Sequence, residues 1–254
     1  MTSTQSRTVL AAAPSRLLAE AAVALAAACI VVVGVIGLLI GHVLLLLGIG
    51  IVLGAGMAAA VIVRIRADAE RRALALFTLR PADAVVDARL INLVDGLCTA
   101  AGLTRPQLWV HPSSSPNSLT LGRDARHGAL IVTEGLLTKL SRIELEGVLA
   151  HELSHLMAGD TIQPTLALAL CGSAAPGVSA RLAVRGVRPS REAAADLAGV
   201  ALTRYPPGLL GALERVQADP EPPADGPPAA RDLWLRPSGT GADLHARIET
   251  LQEL

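Results

Sequence analysis

Lysine is all but missing from this 254-residue chain: Lys139 stands alone, and arginine carries the rest of the positive charge. Such a skew looks like codon bias, not function. Net charge is missing too, since 22 basic and 22 acidic residues cancel. A neutral chain offers no basic surface for nucleic acid, so no nucleic-acid partner is expected. Cysteine is scarce. Cys29, Cys98 and Cys171 are odd in number, far apart and set among apolar residues. That argues against a disulfide framework and a thiolate zinc site, and reads as small buried hydrophobes. Charge of either sign disappears from Ala21 to Val63.

What is present is apolar: 52% of residues are hydrophobic and the mean hydropathy is +0.49. A membrane crossing needs about 20 apolar residues, so the uncharged run of 43 is long enough for two. It is too long for the h-region of a cleaved signal. Gly41 and His42 sit at its centre and are the expected tight turn. The spans then run over about 21–41 and 43–63, after an N-terminal tail at 1–20. Gly37 with Gly41, and Gly50 with Gly54, have the GxxxG spacing that lets membrane helices approach closely. Arg7 and Arg16 precede the run, and Arg64, Arg66, Arg71 and Arg72 follow it. Positive flanks stay cytoplasmic, so residues 64–254 are expected on the cytoplasmic side of the cell membrane.

Beyond residue 64 the pattern becomes mixed. "RADAERRALALFTL" is expected to extend the second span until Pro81. "AVVDARLINLVDGLCTAAG" has helical spacing and ends at Gly102. "QLWVHP", "NSLTLG" and "ALIVT" read as short strands, the last two joined as a hairpin through "GRDARHG". Ser141 opens "SRIE", a capping box that starts a helix at Arg142. Gly159 closes that helix. "SREAAADLAGVALTRY" is a further helix, 218–230 a Pro-rich loop, "DLWL" strand-like, and "ADLHARIETLQEL" a terminal helix. The expected class is therefore α+β, mostly helical with a small sheet.

The helix at 142–158 holds His151, Glu152 and His155 in a chain with six histidines. Imidazoles at i and i+4 share a face, and both reach one tetrahedral metal ion. Glu152, beside the first, is placed to take a proton from a water whose pKa zinc has lowered. This is H-E-x-x-H on a helix, the arrangement used to hydrolyse an unactivated amide. The same spacing also arises as surface decoration, so a third ligand is needed. "REAAAD" supplies Glu192, with Asp196 one turn on to bond a ligand histidine.

"NSLTLGRDARHGALIVTEGLLTKLSRIELEGVLAHELSHLMAGD" resembles the core of the HtpX-like zinc metalloproteases, bacterial membrane relatives of the CAAX prenyl endoproteases. The likeness runs through Pro116, Asn117, "VTEGLL", "ELEGVLAHELSH" and Asp160 to Glu192, Ala195 and Asp196, and on to "YPPGLLGALERV", "LWL" and "RIETL". It implies a zincin-type domain over 64–254 with Zn2+ as cofactor. His151, His155 and Glu192 would be the ligands and Glu152 the base. It implies protein or peptide substrates, membrane-associated or misfolded, and a lipid bilayer as partner. The order of the motifs further places an extended substrate on a sheet edge near 117–122, beginning at Asn117. One family feature is missing: the His-Pro pair six residues before the terminal Arg-Ile falls on Gly241, so no oxyanion group carries over.

One membrane crossing within 162–184 would separate Glu192 from the histidines. Two crossings need about 40 residues, more than lie between Asp160 and Glu192. That segment is therefore expected to return to the same side, as core or as a shallow pair of helices. A membrane sensor-protease in signalling and a zinc-bound, catalytically silent scaffold are the competing readings. The sensor class normally carries a receptor domain. An intact Glu152 argues against the silent scaffold.

Overall fold

The computed structural model describes residues 5–171, 189–222, 226–237 and 244–254, and side chains from Val23 onward. Contacts divide the chain into residues 1–61 and 62–254. The first unit belongs to helix α1 (Gln5–Leu74). No proline interrupts it after Pro14, and isolated glycines cost a helix only about 1 kcal/mol each. The expected turn at Gly41 and His42 is accordingly not formed. The helix is continuous there, and His42 Nδ1 lies 2.9 Å from the Leu38 carbonyl, one turn back. A Cβ on Gly37, Gly41, Gly50 or Gly54 would meet nothing, so these glycines make no close approach among the described residues. The helix also stops short of Pro81, ending at Leu74 with a turn through Phe77.

The second unit begins within α1 and continues through β1 (Arg80–Pro81), α2 (Ala88–Ala101), β2 (Gln107–His111), β3 (Ser118–Asp124) and β4 (His127–Thr133). Then come α3 (Glu134–Lys139), α4 (Arg142–Ala158), α5 (Ile162–Ala169), α6 (Pro189–Thr203), α7 (Pro206–Ala218) and α8 (Leu244–Gln252). It is mostly helical with one small mixed sheet, ordered β1-β2-β4-β3. The hairpin β3–β4 is antiparallel, with Thr120 opposite Leu130, while β2 runs parallel to β4. That places β3 at an edge.

Side chains alternate across the strands. Leu108, Val110, Leu130 and Val132 join the larger core with α2, α4 and α7. Leu119, Leu121 and Ile131 pack on the other face with Ala73, Phe77, Leu168 and Trp234. Helix α4 is capped as its sequence specifies. Ser141 Oγ accepts from the Glu144 amide and the Glu144 carboxylate accepts from the Ser141 amide. Gly159 ends it in the left-handed conformation, φ 67°. Within 162–184, α5 is core, with Thr165, Ala167 and Leu168 fully buried; the remainder, 172–184, lies outside the described residues, as does Gly241.

"DLWL" is a bend, not a strand. Leu235 donates one bond to the Ser118 carbonyl at 2.9 Å, but the next amide, Arg236, goes to the Asn117 side chain. Pro237 then has no amide to continue a ladder.

Candidate metal centre and active site

Helices α4 and α6 build the site. Glycine allows them to meet: a Cβ on Gly199 would lie 2.8 Å from the His151 amide nitrogen, against backbone that cannot give way. The approach brings Glu192 over the two histidines. Ligand atoms of His151, His155 and Glu192 all lie within 4.8 Å of one another. His151 Nε2 is 3.5 Å from Glu192 Oε2, and His155 Nε2 is 3.7 Å from Glu192 Oε1. Donors bound at 2.0–2.1 Å to a tetrahedral ion are about 3.3 Å apart, so the set fits a zinc-sized ion with little movement.

Each imidazole turns its other nitrogen to a carboxylate. His151 Nδ1 is 2.8 Å from Asp196 Oδ1, and His155 Nδ1 is 3.2 Å from Asp160. A carboxylate on Nδ1 leaves Nε2 free as a ligand and fixes the ring. Burial pulls the pKa of His151 down, but Asp196 and Glu192 outweigh it and raise it to about 9. Burial opposes ionisation of Glu192 as well, yet the two imidazoles hold its pKa well below the usual carboxylate range. These are the tensions of a cluster that gathers charge where a cation would sit.

Glu152 is buried on the same helix and stands outside that cluster. Its Oε1 accepts from Ser118 Oγ and its Oε2 from Thr120 Oγ1, each at 2.6 Å. Asn117, expected at a substrate-binding edge, has its side chain fully buried and engaged. Its Nδ2 donates to the Arg236 carbonyl, and its Oδ1 accepts from the Arg236 and Ser118 amides. The amide group of Asn117 therefore holds the chain together at the end of β3 and is not presented to a ligand.

Four contributors escaped the sequence reading. Arg247 is buried and makes a two-pronged bond to Asp196, at 2.8 and 2.7 Å. It shares the apolar stripe of α8 with Ile248 and Leu251, and an arginine on such a stripe is the signal that could have revealed it. Arg191 lies 3.1 Å from both Asp160 and Glu192, joining the two carboxylates. Ser118 and Thr120 alternate with leucines, a pattern that ordinarily means a solvent-facing side; here that side meets α4.

Comparison with known proteins decides the family. Residues 84–253 match peptidase family M48, two thirds of the chain. The chain belongs to that family. Among its M48 relatives is a protein named protease HtpX homolog from Acaryochloris marina, 33% identical over 220 residues, covering 72% of this chain and 74% of the relative. Another of that name, from Dictyoglomus thermophilum, is 33% identical over 168 residues, 52% of this chain and 55% of the relative. One from Acidiphilium cryptum is 40% identical over 115 residues, 45% of this chain and 39% of the relative. The chain thus spans about half the length of the first of the curated relatives it matches. The likeness to HtpX-like membrane metalloproteases noted from the motifs is shown by these matches.

Proposed function

We propose that this M48 protein is a membrane-anchored zinc endopeptidase that cleaves membrane-associated or misfolded proteins on the cytoplasmic side. The observation that carries the reading is the convergence of His151, His155 and Glu192, with Glu152 adjacent but outside the donor set. Three nitrogen and oxygen donors with an open fourth position suit catalytic zinc. A bound zinc ion supplies Lewis acidity toward the carbonyl and the attacking water. The chain's own residues do the rest. Asp196 and Asp160 keep both imidazoles oriented, and Arg247 keeps Asp196 in place. Glu152 takes the proton of the attacking water and passes it to the leaving amine. A substrate strand pairing along 117–122 would have to displace the Leu235 amide from the Ser118 carbonyl and Thr165 from Gly122.

Membrane anchoring is supported by the helix Val23–Leu74, long and apolar enough to cross a bilayer. Arginines after Val63 favour the cytoplasmic side for the domain.

Glu152→Gln tests the mechanism. The amide keeps the shape and cannot accept the proton. Cleavage of an unfolded substrate in detergent should fall about 10²–10⁴-fold with zinc retained. Wild-type cleavage by the zinc-loaded variant would put a different hydrolytic residue in its place, and no cleavage by either zinc-loaded protein would leave the catalytically silent scaffold.

A further inference from the structure

The hydroxyls on β3 do more than fill space beside α4. We propose that Ser118 and Thr120 are positioning residues that suspend the Glu152 carboxylate from the edge strand, fixing its orientation outside the donor set of the metal cluster. The inference rests on the protease reading above and assigns a task to residues outside the H-E-x-x-H motif.

The geometry is specific. Both carboxylate oxygens are taken, one by each hydroxyl, at 2.6 Å. All three side chains are buried: Ser118 is 0% exposed, Thr120 2% and Glu152 3%. A buried carboxylate without such donors would be strongly penalised. The two hydroxyls supply those donors and fix the orientation of the carboxylate.

The donors are themselves fixed. Ser118 and Thr120 pair with Val132 and Leu130 on β4. Upstream, Asn117 accepts the Ser118 amide. Downstream, Thr165 Oγ1 both accepts from the Gly122 amide and donates to the Gly122 carbonyl, at 2.8 and 3.1 Å. Leu119 and Leu121 anchor the opposite face of the strand. The base is therefore hung from a strand that is itself held at both ends, by Leu235 on the Ser118 carbonyl and by Thr165 on Gly122. A hydroxyl also reverses from donor to acceptor, so either can follow Glu152 when it carries a proton.

The test uses the full chain in detergent, zinc-loaded, with fluorogenic casein as substrate. Ser118→Ala and Thr120→Val should each lower kcat about 10-fold, part of the loss expected for the base itself. The double variant should fall further, while KM and zinc content stay at wild-type values. Thr120→Ser should restore the rate. In a Glu152→Gln background the hydroxyl changes should have no added effect on rate, the sign of a shared pathway. A second readout needs neither metal nor substrate: loss of both hydroxyls should lower the melting temperature of the metal-free protein when Glu152 is present and leave it unchanged when Glu152 is alanine. Wild-type kcat in the double variant, while Glu152→Gln is inactive, would overturn the inference and leave the protease reading standing. So would a raised KM with unchanged kcat, which would assign the hydroxyls to the substrate. An active Glu152→Gln would instead remove the protease reading beneath it.

Discussion

Helix α1 is uncharged on every side from Ala21 to Val63 and α4 is buried on every side from Gly147 to Leu156, and their surroundings are opposite. In α1, Val31, Leu45 and Leu53 are 62–65% exposed, and no part of the apolar window is packed inside the protein. In α4, every residue from Gly147 to Leu156 is buried by the sheet and by α2, α6 and α7. An all-round apolar helix needs an all-round apolar environment. The domain provides one for α4. Nothing in the described chain provides one for α1, and a bilayer would. The difference also explains why α4 bears the reactive groups. A central helix is where imidazoles and carboxylates are desolvated and locked by neighbours on all sides.

The sharpest way to break this comparison is topological. Reporters fused after Arg72 and after Leu254 should both read cytoplasmic. A periplasmic signal from either would remove the proposed side of the domain. A third reporter, ahead of Arg16, counts the crossings: same side for an even number, opposite side for an odd one.

Next in size is a pair of identical substitutions. Leu149→Ala in α4 removes a fully buried side chain and should destabilise the domain by about 2–5 kcal/mol. Leu45→Ala in α1 should leave the domain's melting temperature unchanged. Equal shifts in thermal scans would show that the two helices share one core.

Asp196→Asn probes how the centre of α4 is locked. It keeps the shape and weakens the bonds to His151 and Arg247. Zinc affinity should fall about 10–100-fold by competition with a chelator. Unchanged affinity would mean that His151 is oriented by packing alone.

The smallest effect is on pH. In the metal-free protein the pKa of His151 is raised from 6.5 to about 9. Its pairing therefore stabilises the fold fully below pH 6.5, and that stabilisation is lost as pH rises through about 9. Glu192 and Asp196 are shifted the other way, so their contribution is present above their ordinary values and lost in acid. Metal-free protein should melt highest between about pH 4.5 and 6.5 and lower toward pH 9. Zinc needs a neutral imidazole, so its uptake at pH 7 should release a proton and tighten as pH rises. A flat melting profile from pH 6 to 9 would contradict the Asp196–His151 pairing.

Local signals made much of this legible in the sequence. The Ser141 capping box, the Gly102 and Gly159 stops and the β3–β4 hairpin are short-range patterns, and the strands β2, β3 and β4 overlap "QLWVHP", "NSLTLG" and "ALIVT". The cluster of His151, His155 and Glu192 followed from chemistry: one helical spacing plus the need for a third donor. What was hidden depends on distant partners. The parallel pairing of β2 with β4, the two-residue strand at Arg80–Pro81 and the bend at Leu233–Leu235 have no local signature. Ser118 and Thr120 looked like a wet strand face because nothing nearby in sequence says that α4 covers it. The turn expected at Gly41–His42 failed for the converse reason, since two weak helix formers do not end a helix without proline or a capping partner.

Glu192 and the two histidines come from helices far apart along the chain, joined through α5 and residues 172–188. An ion held by all three would be a cross-link, closing that stretch into a loop as a disulfide would. The entropy of such a closure grows only logarithmically, about 0.6 kcal/mol for each doubling of loop length. The cost of that closure therefore depends little on the number of residues in between, and the register of the two helices is kept by the close approach of Gly199 to His151. Such a buckle is also removable: a chelator would open the loop without touching a covalent bond.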